Sequence, residues 1–108
     1  MLFLGRRECF LVEGDSMTPL LHSGDRILVK KIKTFKGGDV VVSKHPIQSD
    51  LVIVKLIESI DAHGRLKLVG MNSKSSHYFG LVKSDLVLGK VCSILVSNLP
   101  FDQKNVEY

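Results

Sequence analysis

The 108-residue chain has no tryptophan, five phenylalanines and two tyrosines. Those aromatics, Phe3, Phe10, Phe35, Phe79, Phe101, Tyr78 and Tyr108, are not interleaved with the basic residues as a stacking platform for single-stranded nucleic acid would require, so no nucleic-acid partner is expected. Cysteine is equally scarce. Cys9 and Cys92 lie far apart and belong to no Cys-x-x-Cys pair, which excludes a disulfide framework, leaves room for one bridge at most, and fits a reducing compartment. No apolar run reaches the roughly 20 residues that a membrane-spanning helix needs. The opening "MLFLGRRECFLVEG" is broken by Gly5, Arg6, Arg7 and Glu8, and its charges follow the apolar residues where a secretory signal would place them first. A soluble, cytoplasmic protein without a membrane anchor is the expectation.

What is present describes one small folded unit. A hydrophobic fraction of 44% over 108 residues suits a single domain with one core, 1–108, and no repeat or low-complexity segment divides it. The net charge of +4 is concentrated in "KKIKTFK", Lys30 to Lys36. Such a run either contacts a polyanion or forms a solvated strand edge, the commoner use of interspersed lysine.

Hydrophobic periodicity predicts strands in "CFLVEG", "RILVKKIK", "GDVVVSKH", "LVIVKLIESI", "GRLKLVG" and "DLVLGKVCSILV". Turn signals at Ser23-Gly24-Asp25, Gly37-Gly38-Asp39, Gln48-Ser49-Asp50 and His63-Gly64 separate them. Only "SMTPLLHSG" has helical character, for one or two turns. The expected fold is all-β, a small coiled sheet or partial barrel of short antiparallel strands, with an irregular tail over about 97–108.

Two residues do not fit a purely structural reading. Ser16 stands at a strand-to-turn junction two residues after Gly14, and Lys55 interrupts the most apolar strand. At period two, Lys55 shares a face with Ile53 and Ile57, while Val52, Val54 and Leu56 occupy the other. On an edge its amine would snorkel to water. Held in an apolar pocket, the ammonium would be desolvated and its pKa lowered, making the neutral amine a base for a serine hydroxyl.

Taken together, these stretches resemble the Ser-Lys peptidases of the signal peptidase and LexA-type repressor clan. The serine motif is matched by Ser16-Met17-Thr18-Pro19-Leu20-Leu21, with Leu20 where the family has Thr. The Gly-Asp strand motif is Gly24-Asp25-Arg26-Ile27-Leu28-Val29, and the lysine motif is Gly38-Asp39-Val40-Val41 followed by Val52-Ile53-Val54-Lys55. A fourth motif is recognisable in "VGMNSKSSHYFG". The motifs keep the family order over about 12–91. Within the clan, the compact layout without an anchor or helix-turn-helix segment is similar to the nickel-type superoxide dismutase maturation proteases.

The resemblance implies Ser16 as nucleophile, Lys55 as general base and the Ser16 backbone N–H as an oxyanion donor. Ser73 falls where signal peptidases have a serine that orients the lysine. Gly14 replaces the side-chain hydroxyl that those enzymes add to the oxyanion hole, leaving the second donor open. The implied partner is a precursor polypeptide, such as a nickel superoxide dismutase precursor, bound as an extended strand; no cofactor is implied. Met71 and Ser75 stand where the family has Asp, and His77 where it has Arg, so the braces of that loop are changed. The alternative is the same fold without activity, a small β-barrel binding polyanions or protein. "GDSM" is also similar to the start of Gly-Asp-Ser-Leu esterases, but the late Asp-x-x-His of those enzymes is missing. His22, His45, His63 and His77 sit in no recognisable triad setting, and with Cys9 and Cys92 they match no metal-ligand spacing.

Overall fold

In a computed structural model, which describes residues 7–48, 50–72 and 80–95, the chain forms β1 (Arg7–Leu11), β2 (Arg26–Lys30), β3 (Val40–Lys44), β4 (Val52–Ile60), β5 (Leu66–Val69), β6 (Leu81–Val82) and β7 (Val87–Leu95). A 3-10 turn, Ser84–Leu86, precedes β7. All strands join one antiparallel sheet in the order β1-β2-β7-β3-β4-β5-β6, curled into a half-barrel. The all-β expectation holds.

Five of the six expected strands map onto β1 to β5. The first is shifted, because beyond Leu11 the chain leaves the ladder and the Val12 N–H bonds the Asp25 carbonyl at 2.8 Å. The sixth begins later than expected, since Ser84–Leu86 winds into the 3-10 turn. The two-residue β6 has no counterpart in the periodicity. The helical character of "SMTPLLHSG" amounts to one turn, closed by Leu21 N–H to the Met17 carbonyl at 2.9 Å.

The two Gly-Asp pairs that lead into β2 and β3 have one structural explanation. Gly24 and Gly38 adopt φ of 96° and 95°, a region costly for residues with a Cβ. In each case the buried aspartate that follows closes the turn: Asp25 Oδ2 accepts from His22 N–H at 2.9 Å, and Asp39 Oδ2 from Lys36 N–H at 3.1 Å. Asp39 also meets Lys90 Nζ at 3.1 Å, tying the start of β3 to β7. These carboxylates close the turns that lead into β2 and β3 by accepting from N–H groups of the same turn.

Alternation along β3 divides the core. Val42 packs in a cluster with Val12, Met17, Leu21, Ile27 and Val29, whereas its neighbour Val41 packs with Ile57, Leu66, Leu68 and Val82. Successive strand residues point to opposite faces, so the two clusters cover opposite faces of the sheet. β4 serves both: Val54 and Leu56 pack on the first, Ile53 and Ile57 on the second. This double burial accounts for the near-continuous apolar run in its sequence.

Candidate active site

The segment Val12–Leu21 leaves β1 and crosses the first core cluster. Met17 is 1% exposed and Leu21 0%; burying side chains of this size stabilises by about 1.5–3 kcal/mol each. They fix the turn from beneath. Between them and Val12, Gly14 has φ +87° with nothing within 4 Å of where a Cβ would stand, so backbone conformation rather than space calls for glycine there. Ser16 opens the turn that contains the cis Thr18–Pro19 bond and is half-buried.

Asn72 braces this turn from the far end of β5. Its N–H donates to the Ser16 carbonyl at 2.9 Å, and its Nδ2 donates to the Asp15 carbonyl at 3.1 Å. The Asp15 carbonyl also accepts the Thr18 N–H and hydroxyl at 3.1 and 3.0 Å. The carbonyls on either side of the Asp15–Ser16 junction are thus engaged, whereas the Ser16 N–H donates to no partner among the described residues. Sequence reasoning missed Asn72 as a support for Ser16. The signal was present as the Asn of the fourth motif, "VGMNSKSSHYFG".

Lys55 stands in β4 directly opposite Val41 of β3. It is 5% exposed, so it is buried rather than extended to bulk water. Burial pushes its amine below the ordinary lysine value of 10.5, because low-polarity surroundings disfavour the charged form.

Ser16 and Lys55 line the same groove, of about 350 Å³. Its floor includes Ile27 and Val42, and one wall is the end of β1. The other wall is the unbroken run Leu51–Lys55. Consecutive strand residues face opposite ways, so a groove that touches all of them follows the strand edge. That edge is open for a reason visible in the register: β5 pairs β4 only from Leu56 onward, leaving Val52–Val54 without a strand partner on that side among the described residues. An open edge beside a serine and a buried amine can hold an extended peptide while its carbonyl meets the hydroxyl.

Ser73, Ser75 and His77 lie outside the described residues. None of the described histidines lines this groove. His45 Nδ1 accepts from Ile47 and Gln48 N–H groups, and His22 Nδ1 lies 3.8 Å from Asp25 Oδ2. The lysines of the Lys30–Lys36 stretch are exposed and none lines the groove. Cys9 on β1 and Cys92 on β7 are not joined in a disulfide. No helix among the described residues is long and apolar enough to cross a membrane.

The buried amine has a consequence for stability. Because its folded-state pKa is lowered, the unfolded chain binds more protons between that value and 10.5, and stability rises with pH through this window. Below it the full cost of burying the ammonium is present. Urea denaturation should therefore show Lys55→Met more stable than wild type at neutral pH, with the gap narrowing as pH approaches 10.5. A gap that does not change with pH would mean that the amine is not desolvated by the fold.

No curated protein matches the chain with significance. The family model described as Peptidase S24-like, a family of serine peptidases, matches residues 5–92. That span holds the Ser16 turn, the Lys55 strand, the Asn72 brace and nearly all of the half-barrel, and the chain belongs to the Peptidase S24-like family.

Proposed function

We propose that the chain is a serine endopeptidase with a Ser16-Lys55 dyad that removes an N-terminal extension from a precursor protein. The observation that carries this reading is the shared groove: the serine of a braced turn and a buried lysine with a lowered pKa line one cleft beside an open strand edge. A lysine amine left protonated could not accept the serine proton, so burial supplies the property that the chemistry needs.

In this mechanism the substrate lies extended along Val52–Val54. Lys55 takes the Ser16 hydroxyl proton as Oγ attacks the scissile carbonyl carbon, and the carbonyl oxygen becomes an oxyanion facing the Ser16 N–H. Collapse of this intermediate breaks the C–N bond, the leaving amine takes the proton from the Lys55 ammonium, and an acyl-enzyme remains. Lys55 then deprotonates a water that attacks the ester, and returns that proton to Ser16 Oγ as the acid product leaves. Ser73 orients the lysine amine in this scheme, by the resemblance to signal peptidases. Gly14 contributes backbone shape and no hydroxyl, so the second oxyanion donor comes from another residue.

The substrate assigned is the precursor of a nickel-type superoxide dismutase, processed in the cytoplasm. Support comes from the resemblance of the chain's motifs and their order to the clan that includes the maturation proteases of that enzyme, and two cysteines not joined in a disulfide fit a reducing compartment. Incubation with such a precursor, followed by mass spectrometry, should give one new N-terminus. Cleavage of unrelated extended peptides with the precursor left intact would overturn the substrate and keep the peptidase. No cleavage of either would overturn the peptidase.

A further inference from the structure

Among the described residues that line it, the groove is apolar except for three side chains. Ser16 and Lys55 are two of them; the third is Glu13, in the wall formed by the end of β1. Glu13 is exposed, and among the described residues its carboxylate has no hydrogen-bond or ion-pair partner. Among the described residues that line the groove, this carboxylate is the one acidic group, and Lys55 is the base of the proposed mechanism. It is an acidic point on a chain whose net charge is +4.

An unneutralised carboxylate at the wall of an apolar cleft discriminates by charge. It attracts a cationic side chain and repels an anionic one, and the low-polarity walls strengthen both effects relative to open water. The chain itself bounds the distance. Glu13 precedes Ser16 by three residues, so their Cα atoms are separated by at most about 11 Å. An extended peptide advances about 3.4 Å per residue. The part of an extended substrate backbone that passes beside Glu13 therefore lies within about three positions of the cleaved bond.

We infer that Glu13 is a specificity-determining residue that selects a lysine or arginine near the scissile bond, within a substrate segment whose other side chains facing the groove are apolar. Leu11, Leu51 and Val52, all exposed and all lining the same groove, supply the apolar part of that recognition. This inference rests on the peptidase reading for its register, while the charge selection itself is a binding property that is measured without turnover.

The test uses the non-cleaving Ser16→Ala chain and fluorescein-labelled eight-residue apolar peptides carrying Lys, Gln or Glu at each position in turn. At one or two adjacent positions the Lys peptide should bind about fivefold more tightly than the Gln peptide, the ratio expected of a single partly exposed charge pair. The ratio should shrink at high salt. Adding Glu13→Gln should erase it, and adding Glu13→Lys should turn the preference toward the Glu peptide. Equal binding of Lys and Gln peptides at every position, a preference that survives Glu13→Gln, or no binding at all would each overturn the inference. Wild-type cleavage of the same peptides separates the two readings. Cleavage without charge preference overturns the role of Glu13 and keeps the peptidase, whereas Glu13-dependent binding without wild-type cleavage keeps the selection and defeats the peptidase.

Discussion

Ser16→Ala should abolish peptide cleavage, with a loss in kcat of at least about 10⁴-fold, or roughly 5 kcal/mol of transition-state stabilisation, because no other route to an acyl intermediate remains. Lys55→Met keeps an unbranched side chain of similar length in the buried site and removes only the amine. It should cost about 10²- to 10⁴-fold or more, the range attributed to a general base. The two residues act on one proton, so their losses should not add: the Ser16→Ala/Lys55→Met chain should be no slower than Ser16→Ala alone. Folding separates this from a structural effect. Ser16 is half-buried in a turn held by Met17, Leu21 and Asn72, none of which needs its hydroxyl. Ser16→Ala should therefore unfold at the wild-type urea concentration. Retention of wild-type kcat/KM in either single variant would remove that residue from the mechanism.

The second large effect is on stability, at Gly89. This residue lies in β7 where it passes between β2 and β3, opposite Val42 in the groove floor. A Cβ added there would come within 2.6 Å of the Lys30 carbonyl oxygen and 2.6 Å of Val29 Cγ1. The first contact is with backbone and cannot be relieved by a rotamer change. β2 would have to move, at the strand where its register with β7 already shifts between Leu28 and Val29. Gly89→Ala should destabilise the protein by about 2 to 3 kcal/mol, the upper part of the range for overpacking, and lower the urea midpoint accordingly. Gly64→Ala is a useful contrast. Its φ of +79° strains an alanine, but nothing lies within 4 Å of the added carbon, so a cost of about 1 to 2 kcal/mol is expected. Equal stability of Gly89→Ala and wild type would mean that β2 and β7 do not approach as closely as described.

These two positions illustrate what was legible before the fold was known. Strands β2 to β5 were readable because alternation and the Gly-Asp turns act locally, and both turns are closed by their own aspartates. Gly89 gave no signal, because its requirement comes from β2, a strand remote in sequence, pressing on it. The insertion of β7 between β2 and β3 is likewise a long-range pairing without a local mark. The two-residue β6 is too short to show a period.

The site divides in the same way. Lys55 was conspicuous because a charge in an apolar strand violates the pattern, and Ser16 because its setting combines a glycine-led turn with a family motif. Their meeting in one groove follows from the path of Val12–Leu21 across the first core cluster, which no local rule specifies. The support from Asn72 and the position of Glu13 in the wall depend on the same path. For that reason nothing in the sequence singled out Glu13.

The central claim is that the fold lowers the pKa of the amine that shares the groove with Ser16. It is tested most directly by following the Lys55 side-chain signal through an NMR pH titration of the folded wild-type chain, with Lys55→Arg to assign it. The account predicts a midpoint displaced below 10.5, with the Ser16 environment titrating in step. A Lys55 signal that titrates at the ordinary lysine value would contradict it.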